Sequence, residues 1–289
     1  MNKTVLVTGA NGYIGHHVVS TLCDLFPDYK IISVDFKSTL IDKRSVFCPI
    51  DILSLASEPE LFKQLNCPNY CIHLAWKDGF IHNSDSHLQY LPHHFNFLKN
   101  LIDHGCTSVS VMGTMHEVGY WNGEVNADTP CNPFSMYGIA KNALRQALLS
   151  YSEEKNVSVK WLRAFYITGD DMVNNSIFSK ILKKANEGEK SFPFTTGLNK
   201  YDFIDVKALA LFIVLASLQE KYEGIINVCT GNPISLKEKV EQFISDHSLD
   251  IVPEFGAFPT RKYDSPAIWG NNSIISDIYS QYCNSKGQS

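Results

Sequence analysis

Tyr137 and Lys141 stand four apart in Ser135-Met136-Tyr137-Gly138-Ile139-Ala140-Lys141, a spacing that puts both side chains on one face of a helix. A phenol with an ordinary pKa of about 10 is a poor acid-base group at neutral pH, and a neighbouring ammonium is what would bring it down. The pairing alone is weak, because 13 tyrosines and 21 lysines in 289 residues give about one such match by chance. The chain holds three, the others being Tyr151/Lys155 and Tyr282/Lys286. Position selects among them. Tyr282 is in the C-terminal tail, and Tyr151 lies roughly 21 Å further along the same expected helix. Tyr137 opens that helix, and Thr114 follows the end of an apolar β-branched run. A hydroxyl at Thr114 can orient a substrate oxygen while Tyr137 gives or takes its proton.

A second group sits at the start of the chain, in Thr8-Gly9-Ala10-Asn11-Gly12-Tyr13-Ile14-Gly15. This GxxGxxG turn follows a strand-like run and precedes an amphipathic stretch. Gly9, Gly12 and Gly15 allow the tight turn and the close approach of a pyrophosphate, with Asn11, Tyr13 and Ile14 lining the same loop and the helix N-terminus facing the phosphates. Asp35 ends the next strand 20 residues beyond Gly15, the spacing of a carboxylate that binds an adenosine ribose. It repels a 2′-phosphate and so favours NAD(H), with Lys37 leaving NADP(H) open. Asp51, beside Ile52, either accepts from an adenine amino group or caps a helix. Leu74, Ala75 and Trp76 close a fourth strand where a dinucleotide would pass, and Trp76 reads equally as core.

These groups need a scaffold that brings strand ends together, and the periodicity supplies one. Short β-branched runs at 4–8, 30–35, 46–50, 70–75, 108–112, 157–163 and 225–229 alternate with helical stretches at 13–25, 58–65, 84–104, 136–153, 206–219 and 236–247. Continuous apolar strands imply burial on both faces, as in a doubly wound parallel sheet of the α/β class. After Arg163 the pattern loosens into Gly-, Asn- and Pro-rich segments. We expect a dinucleotide-binding domain of 1–163 plus about 204–245, and a smaller, discontinuous substrate lobe of about 164–203 plus 246–289.

Composition narrows the function. Lys and Arg number 25 against 30 Asp and Glu, a net charge of −5, and only four residues are arginine, too few for a nucleic-acid face. The longest apolar run, Ala208 to Ala216, is far short of the roughly 20 residues of a membrane span. No signal-like segment opens the sequence, so a cytoplasmic address is expected. Eight scattered cysteines without a CxxC pair read as buried thiols. His82, His87, His93 and His94 crowd one segment, but no carboxylate joins them on one face and a metal centre is not expected.

Taken together, TGANGYIG, Asp35, His73-Leu74-Ala75-Trp76, Thr114, Tyr137-Gly138-Ile139-Ala140-Lys141 and the segment from Leu162 to Gly169 resemble the extended short-chain dehydrogenase/reductase family, the NAD-dependent epimerase/dehydratase group acting on sugar nucleotides. The resemblance implies a Rossmann-type fold, Thr114, Tyr137 and Lys141 as catalytic residues, and a homodimer through helices 84–104 and 136–153. It also suggests Asn175 and Arg261 as contacts to the substrate's diphosphate or nucleotide. Tyr201 stands where many members carry an arginine for the pyrophosphate, so Lys200 with Arg261 is the expected replacement. Met115 and His116 occupy the places of the Asp-Glu pair of the 4,6-dehydratases, which argues against dehydration. His116 and Glu117 are open to two readings, substrate contacts or structural supports. The short second lobe is similar to that of 4-keto-6-deoxysugar-nucleotide reductases. The expected reaction is hydride transfer to C4 of a nucleoside-diphosphate 4-keto-6-deoxyhexose, reversible as a dehydrogenase. The alternatives are a 4-epimerase with tightly held NAD and a non-catalytic dinucleotide-binding regulator.

Overall fold

The β-branched run Thr4–Thr8 (β1) has its last four residues buried and forms the middle of a parallel sheet. This computed structural model describes residues 3–53, 65, 68–169, 174, 176–259 and 264–287. Around β1 stand Lys30–Val34 (β2), Val46–Cys48 (β3), Tyr70–His73 (β4), Ser108–Thr114 (β5), Ser158–Ala164 (β7) and Gly224–Val228 (β11), in the order β3-β2-β1-β4-β5-β7-β11. All pairs are parallel. The order reverses between β1 and β4, so the chain leaves the two strands toward opposite sides and opens a crevice at their carboxyl ends. Thr8, His73 and Thr114 all end strands there.

Helices cover both faces. Gly15–Leu25 (α1) and Val206–Leu218 (α6) bury Val18, Val19, Leu22, Leu209, Ile213 and Val214 against one face. Leu91–Asp103 (α3) and Met136–Lys155 (α4) bury Phe97, Leu98, Leu101, Leu144 and Leu148 against the other. Ser135 caps α4 by accepting the Gly138 N–H at 3.1 Å, and Asn156 ends it in the left-handed conformation that Asn tolerates. The expected helix 84–104 is divided. Ser86–Gln89 (α2) is a single turn and α3 restarts with Pro92 in its first turn, because proline has no N–H to continue the preceding ladder. The expected helix 58–65 lies outside the described residues except for Leu65.

A second sheet, absent from the expected elements, runs β12-β10-β14-β6 through Pro233–Ser235 (β12), Lys200–Asp205 (β10), Ala267–Gly270 (β14) and Gly123–Val125 (β6), and Tyr166–Thr168 (β8) pairs with β10. Ser191–Pro193 (β9) and Val252–Glu254 (β13) form a small pair. Ile177–Asn186 (α5) and Leu236–Asp246 (α7) pack Phe178, Ile181, Val240 and Phe243 into the core of this smaller lobe with Tyr201 and Phe203. The helix near 236–247 thus shares its apolar cluster with α5, Tyr201 and Phe203. Conversely, Ser273–Gly287 (α8) sends Ile275 and Ile278 into the core beneath α6. An αβ rhythm predicts that an element forms, and its apolar stripe decides which lobe covers it. Among the described cysteines, Cys283 is exposed and Cys48 and Cys131 are half-buried, so the reading of all eight as buried does not hold. Among the described residues no helix is long and apolar enough to cross a membrane.

Candidate active site

The glycine turn connects β1 to α1 as the fingerprint requires. A Cβ on Gly15 would run into the Gly9 carbonyl, so only glycine lets the helix approach the turn this closely. The N-cap of α1 is Ile14, which offers no side-chain acceptor to the first-turn N–H groups. That end suits an anion such as a pyrophosphate. Asp35 follows β2 and faces the same turn, its Oδ2 accepting the Asn11 N–H at 2.9 Å and its Oδ1 the Phe36 N–H at 2.7 Å. Asn11 in turn accepts the Leu40 N–H at 2.8 Å. The turn, the uncapped helix end and the adjacent carboxylate together fit a dinucleotide whose ribose carries a free 2′-hydroxyl. The Asp51 carboxylate accepts the Leu53 N–H at 2.9 Å, the cap-like arrangement, and Ile52 is buried in the core. Leu74 and Ala75 are tied to β1 by Leu74 N–H to the Thr8 carbonyl at 3.1 Å and Ala75 N–H to the Thr8 hydroxyl at 3.4 Å.

Thr114, Tyr137 and Lys141 converge at the carboxyl end of β5. The Thr114 side chain lies beside the Tyr137 phenol and acts to lower its pKa. The Lys141 ammonium donates to the Met112 carbonyl at 2.8 Å, two residues before Thr114. A Cβ on Gly138 would strike the His116 carbonyl, so glycine at that place lets α4 touch the turn after Thr114. The start of α4 is held from a third side by loop 77–85: the Tyr137 N–H donates to the His82 carbonyl at 2.9 Å and the Met136 N–H to Asn83 Oδ1 at 3.3 Å.

The electrostatics differ from the expectation in one respect. Burial pushes the Tyr137 phenol above its ordinary value, the Thr114 side chain opposes this, and the Glu117 charge adds to it. Lys141 is itself pushed down to about 7 by burial. Its Nζ rests 3.8 Å from the centre of the Trp76 ring and 6.0 Å from that of Tyr137. The ammonium is turned to the Met112 carbonyl and the indole, and desolvation of the phenol outweighs the positive charge beside it.

Three histidines surround Tyr137. His82 lies nearly parallel at 5.5 Å, His87 at 5.3 Å and His116 edge-on at 6.0 Å, while His82 and His116 are 4.3 Å apart. Burial and His82 press His116 down to about 3, so the imidazole is neutral. His116 thus joins the site. Glu117 does not. It is fully buried, accepts the Thr114 N–H at 2.7 Å and the Trp161 indole N–H at 2.9 Å, and pairs with Arg145 at 3.6 Å and Arg163 at 3.7 Å. Of the two readings open for Glu117, the packing favours the structural one: two arginines and two N–H donors draw its carboxylate inward, where it closes a capping box on the turn 115–117.

Lys200 opens β10 in the second sheet, exposed, with its backbone between Ser235 and Ala267. Tyr201 beside it is buried and packs on Tyr166 at 4.2 Å. Successive strand residues face opposite sides, so the Lys200 and Tyr201 side chains point apart. Asn175 and Arg261 lie outside the described residues. Among the described residues no three His, Cys, Asp or Glu side chains converge as metal ligands. His87 is in α2, and His93 and His94 are in α3.

Sequence reasoning missed the Arg145–Glu117–Arg163 group and Asp202. Asp202 is fully buried and accepts from the Thr230 N–H and hydroxyl, at 2.9 and 2.6 Å, and from the Gly231 N–H at 2.8 Å, fixing the loop after β11 to β10. Its signal was an acidic residue inside the apolar run Tyr201-Asp202-Phe203-Ile204.

Residues 5–229 match the model of the NAD dependent epimerase/dehydratase family. A dTDP-6-deoxy-L-talose 4-dehydrogenase (NAD(+)) from Aggregatibacter actinomycetemcomitans is 44% identical over 272 residues, which span 92% of this chain and 98% of that protein. Among solved structures, a UDP-N-acetylglucosamine 4-epimerase from Methanobrevibacter ruminantium M1 superposes with a TM-score of 0.82 at 22% identity, covering 96% of this chain and 92% of that one. A UDP-glucose 4-epimerase from Thermotoga maritima does so with a TM-score of 0.79 at 22% identity over 95% and 91%. The structural matches show the shared fold. With the family match and the 44% identity, the chain belongs to the NAD-dependent epimerase/dehydratase family, enzymes of the extended short-chain dehydrogenase/reductase class that use NAD.

Proposed function

We propose that this protein interconverts the ketone and the alcohol at C4 of a nucleoside-diphosphate 6-deoxyhexose, reducing the 4-keto sugar with NADH and oxidising the alcohol with NAD+. One observation carries the reading: 44% identity over nearly the full length of a dTDP-6-deoxy-L-talose 4-dehydrogenase, with Thr114, Tyr137 and Lys141 gathered at one strand end. The inward-turned Glu117 supports it against water elimination, because this first carboxylate after Thr114 is engaged by the Thr114 N–H and Arg163.

The glycine turn and Asp35 would hold the dinucleotide, which would supply or accept the hydride. The chain's own residues do the rest. Thr114 orients the C4 oxygen through its hydroxyl. Tyr137 carries its proton at neutral pH and hands it to the oxygen as negative charge develops there. Lys141 supplies positive charge close to the phenol. In oxidation the proton returns to Tyr137.

Purified protein given NADH and a dTDP-4-keto-6-deoxyhexose should oxidise one NADH per ketone consumed. Protein that leaves NADH untouched, carries bound NAD and exchanges C4 epimers of a nucleotide sugar would establish the epimerase reading instead. A homodimer is part of the proposal, through α3 and α4, which lie side by side and share an exposed cluster of Lys99, Asp103, Tyr151 and Lys155. Light scattering of the purified protein tests it.

A further inference from the structure

We propose that Trp76 is a positioning residue for the catalytic cation: its indole is locked in place on one edge and one face so that the other face holds the Lys141 ammonium beside Tyr137. The inference rests on the C4 oxidoreductase reading, in which Lys141 acts as a charge next to the phenol.

Three contacts fix the indole. Its Nε1–H donates to His87 Nδ1 at 3.0 Å. Because that nitrogen accepts, the His87 proton is on Nε2, which donates to the Ile81 carbonyl at 2.9 Å, so the tautomer and ring orientation are set. His94 is stacked on the indole at 4.4 Å with 14° between the planes. His94 Nδ1 is bonded to His73 Nε2 at 3.0 Å, and His73 Nδ1 to the Thr8 hydroxyl at 2.8 Å, so the stacking partner is tied to the strand that carries the glycine turn. The Lys141 Nζ lies 3.8 Å from the ring centre. A cation and a stacked ring this near one centre cannot share a face, so Lys141 and His94 lie on opposite sides. Tyr137 meets the indole edge-on at 6.2 Å.

Lys141 is 2% exposed, and its ammonium has three N–H donors, of which one reaches the Met112 carbonyl. A desolvated cation over an indole is stabilised by the ring quadrupole. The other titratable groups facing Lys141 are His73, His94 and Glu117; Glu117 acts through space, and both histidines are held neutral by burial with Lys141 opposing their charge. Trp76 is thus the aromatic surface that opposes the loss of charge imposed by burial and aims the ammonium in a pocket whose histidines provide no counter-charge.

The test uses three variants of the whole protein. In W76L, kcat should fall about tenfold with little change in sugar KM, the scale of one desolvated cation–π contact, and W76F, which keeps an aromatic face, should recover most of that loss. The difference in tryptophan emission between the parent and W76F isolates Trp76. Titrated through neutrality, it should show a transition that disappears in K141M. Parent-like kcat and pH profile in W76L would overturn the proposal, as would a Trp76 transition that survives in K141M, which would belong to His87 or His94. Should W76L not fold, the emission titration decides alone. Full turnover by K141M would instead overturn the catalytic reading beneath it, so the two failures are distinct.

Discussion

Glu117 accepts the backbone N–H of Thr114 at 2.7 Å from a site with no solvent exposure. Its carboxylate also faces Arg145, Arg163 and the Trp161 indole, so Thr114 is fixed from behind by a buried ionic group. Removing the carboxylate strands two guanidiniums. Glu117→Ala should cost about 3–5 kcal/mol in denaturant unfolding, the scale of a broken buried ion pair. Glu117→Gln, which keeps an acceptor for the Thr114 N–H, should cost less and retain more turnover. Equal stability of the alanine variant and the parent would remove the anchoring role.

Tyr137 should be a proton donor over the whole neutral range, since burial and the Glu117 charge hold the phenol above its ordinary value. Reduction of the ketone needs the protonated form and should be flat through neutrality, falling only in alkali. Oxidation needs the ionised form and should rise with pH. Initial rates in both directions across pH check this. Tyr137→Phe should abolish turnover in both directions while NAD+ binding persists, and normal activity in that variant would sink the assignment.

Buried neutral histidines make the fold acid-labile. His94 is pushed from 6.5 to about 3, chiefly by burial. The unfolded chain binds its proton below pH 6.5 while the folded chain does not, so stability present above 6.5 is lost as pH falls toward 3. From pH 6.5 to pH 5 this amounts to roughly 2 kcal/mol from His94. Unfolding free energies over that range should fall with that slope, and His94→Asn should flatten it. An unchanged slope in the variant would place the acid sensitivity elsewhere.

Asp35 is placed to exclude a 2′-phosphate, with both oxygens already bound to N–H groups of Asn11 and Phe36. Asp35→Asn should lower the ratio of kcat/KM for NAD+ over NADP+ by about tenfold or more, because the charge repulsion goes while the turn keeps one acceptor. A ratio that does not move would assign the preference to another residue.

Much of this was legible from the chain. Apolar strands such as Val5-Leu6-Val7 and the glycine turn located the sheet and the crevice, and residue position separated Tyr137 from Tyr151 and Tyr282. Burial of charge was not legible. Glu117 is 28 positions from Arg145 and 46 from Arg163, and only the packing of α4 and β7 on β5 brings them together. Trp76 stayed open between core and contact for the same reason: its partners His87, His94 and Lys141 come from three helices. The small lobe was the least legible part, because its three- and four-residue strands carry too few alternations to mark a period. Pro92 did announce the break between α2 and α3, and Ser176 with Ile177, Phe178, Ile181 and Leu182 had the cap and spacing of α5.

The most direct measurement of the central claim is the stoichiometry of NADH oxidation when the purified protein meets a dTDP-4-keto-6-deoxyhexose, with the sugar product identified by NMR. The account predicts one NADH consumed per ketone, formation of the C4 alcohol, and reversal with NAD+. No NADH consumption, together with tightly bound NAD and exchange of C4 epimers, would contradict it.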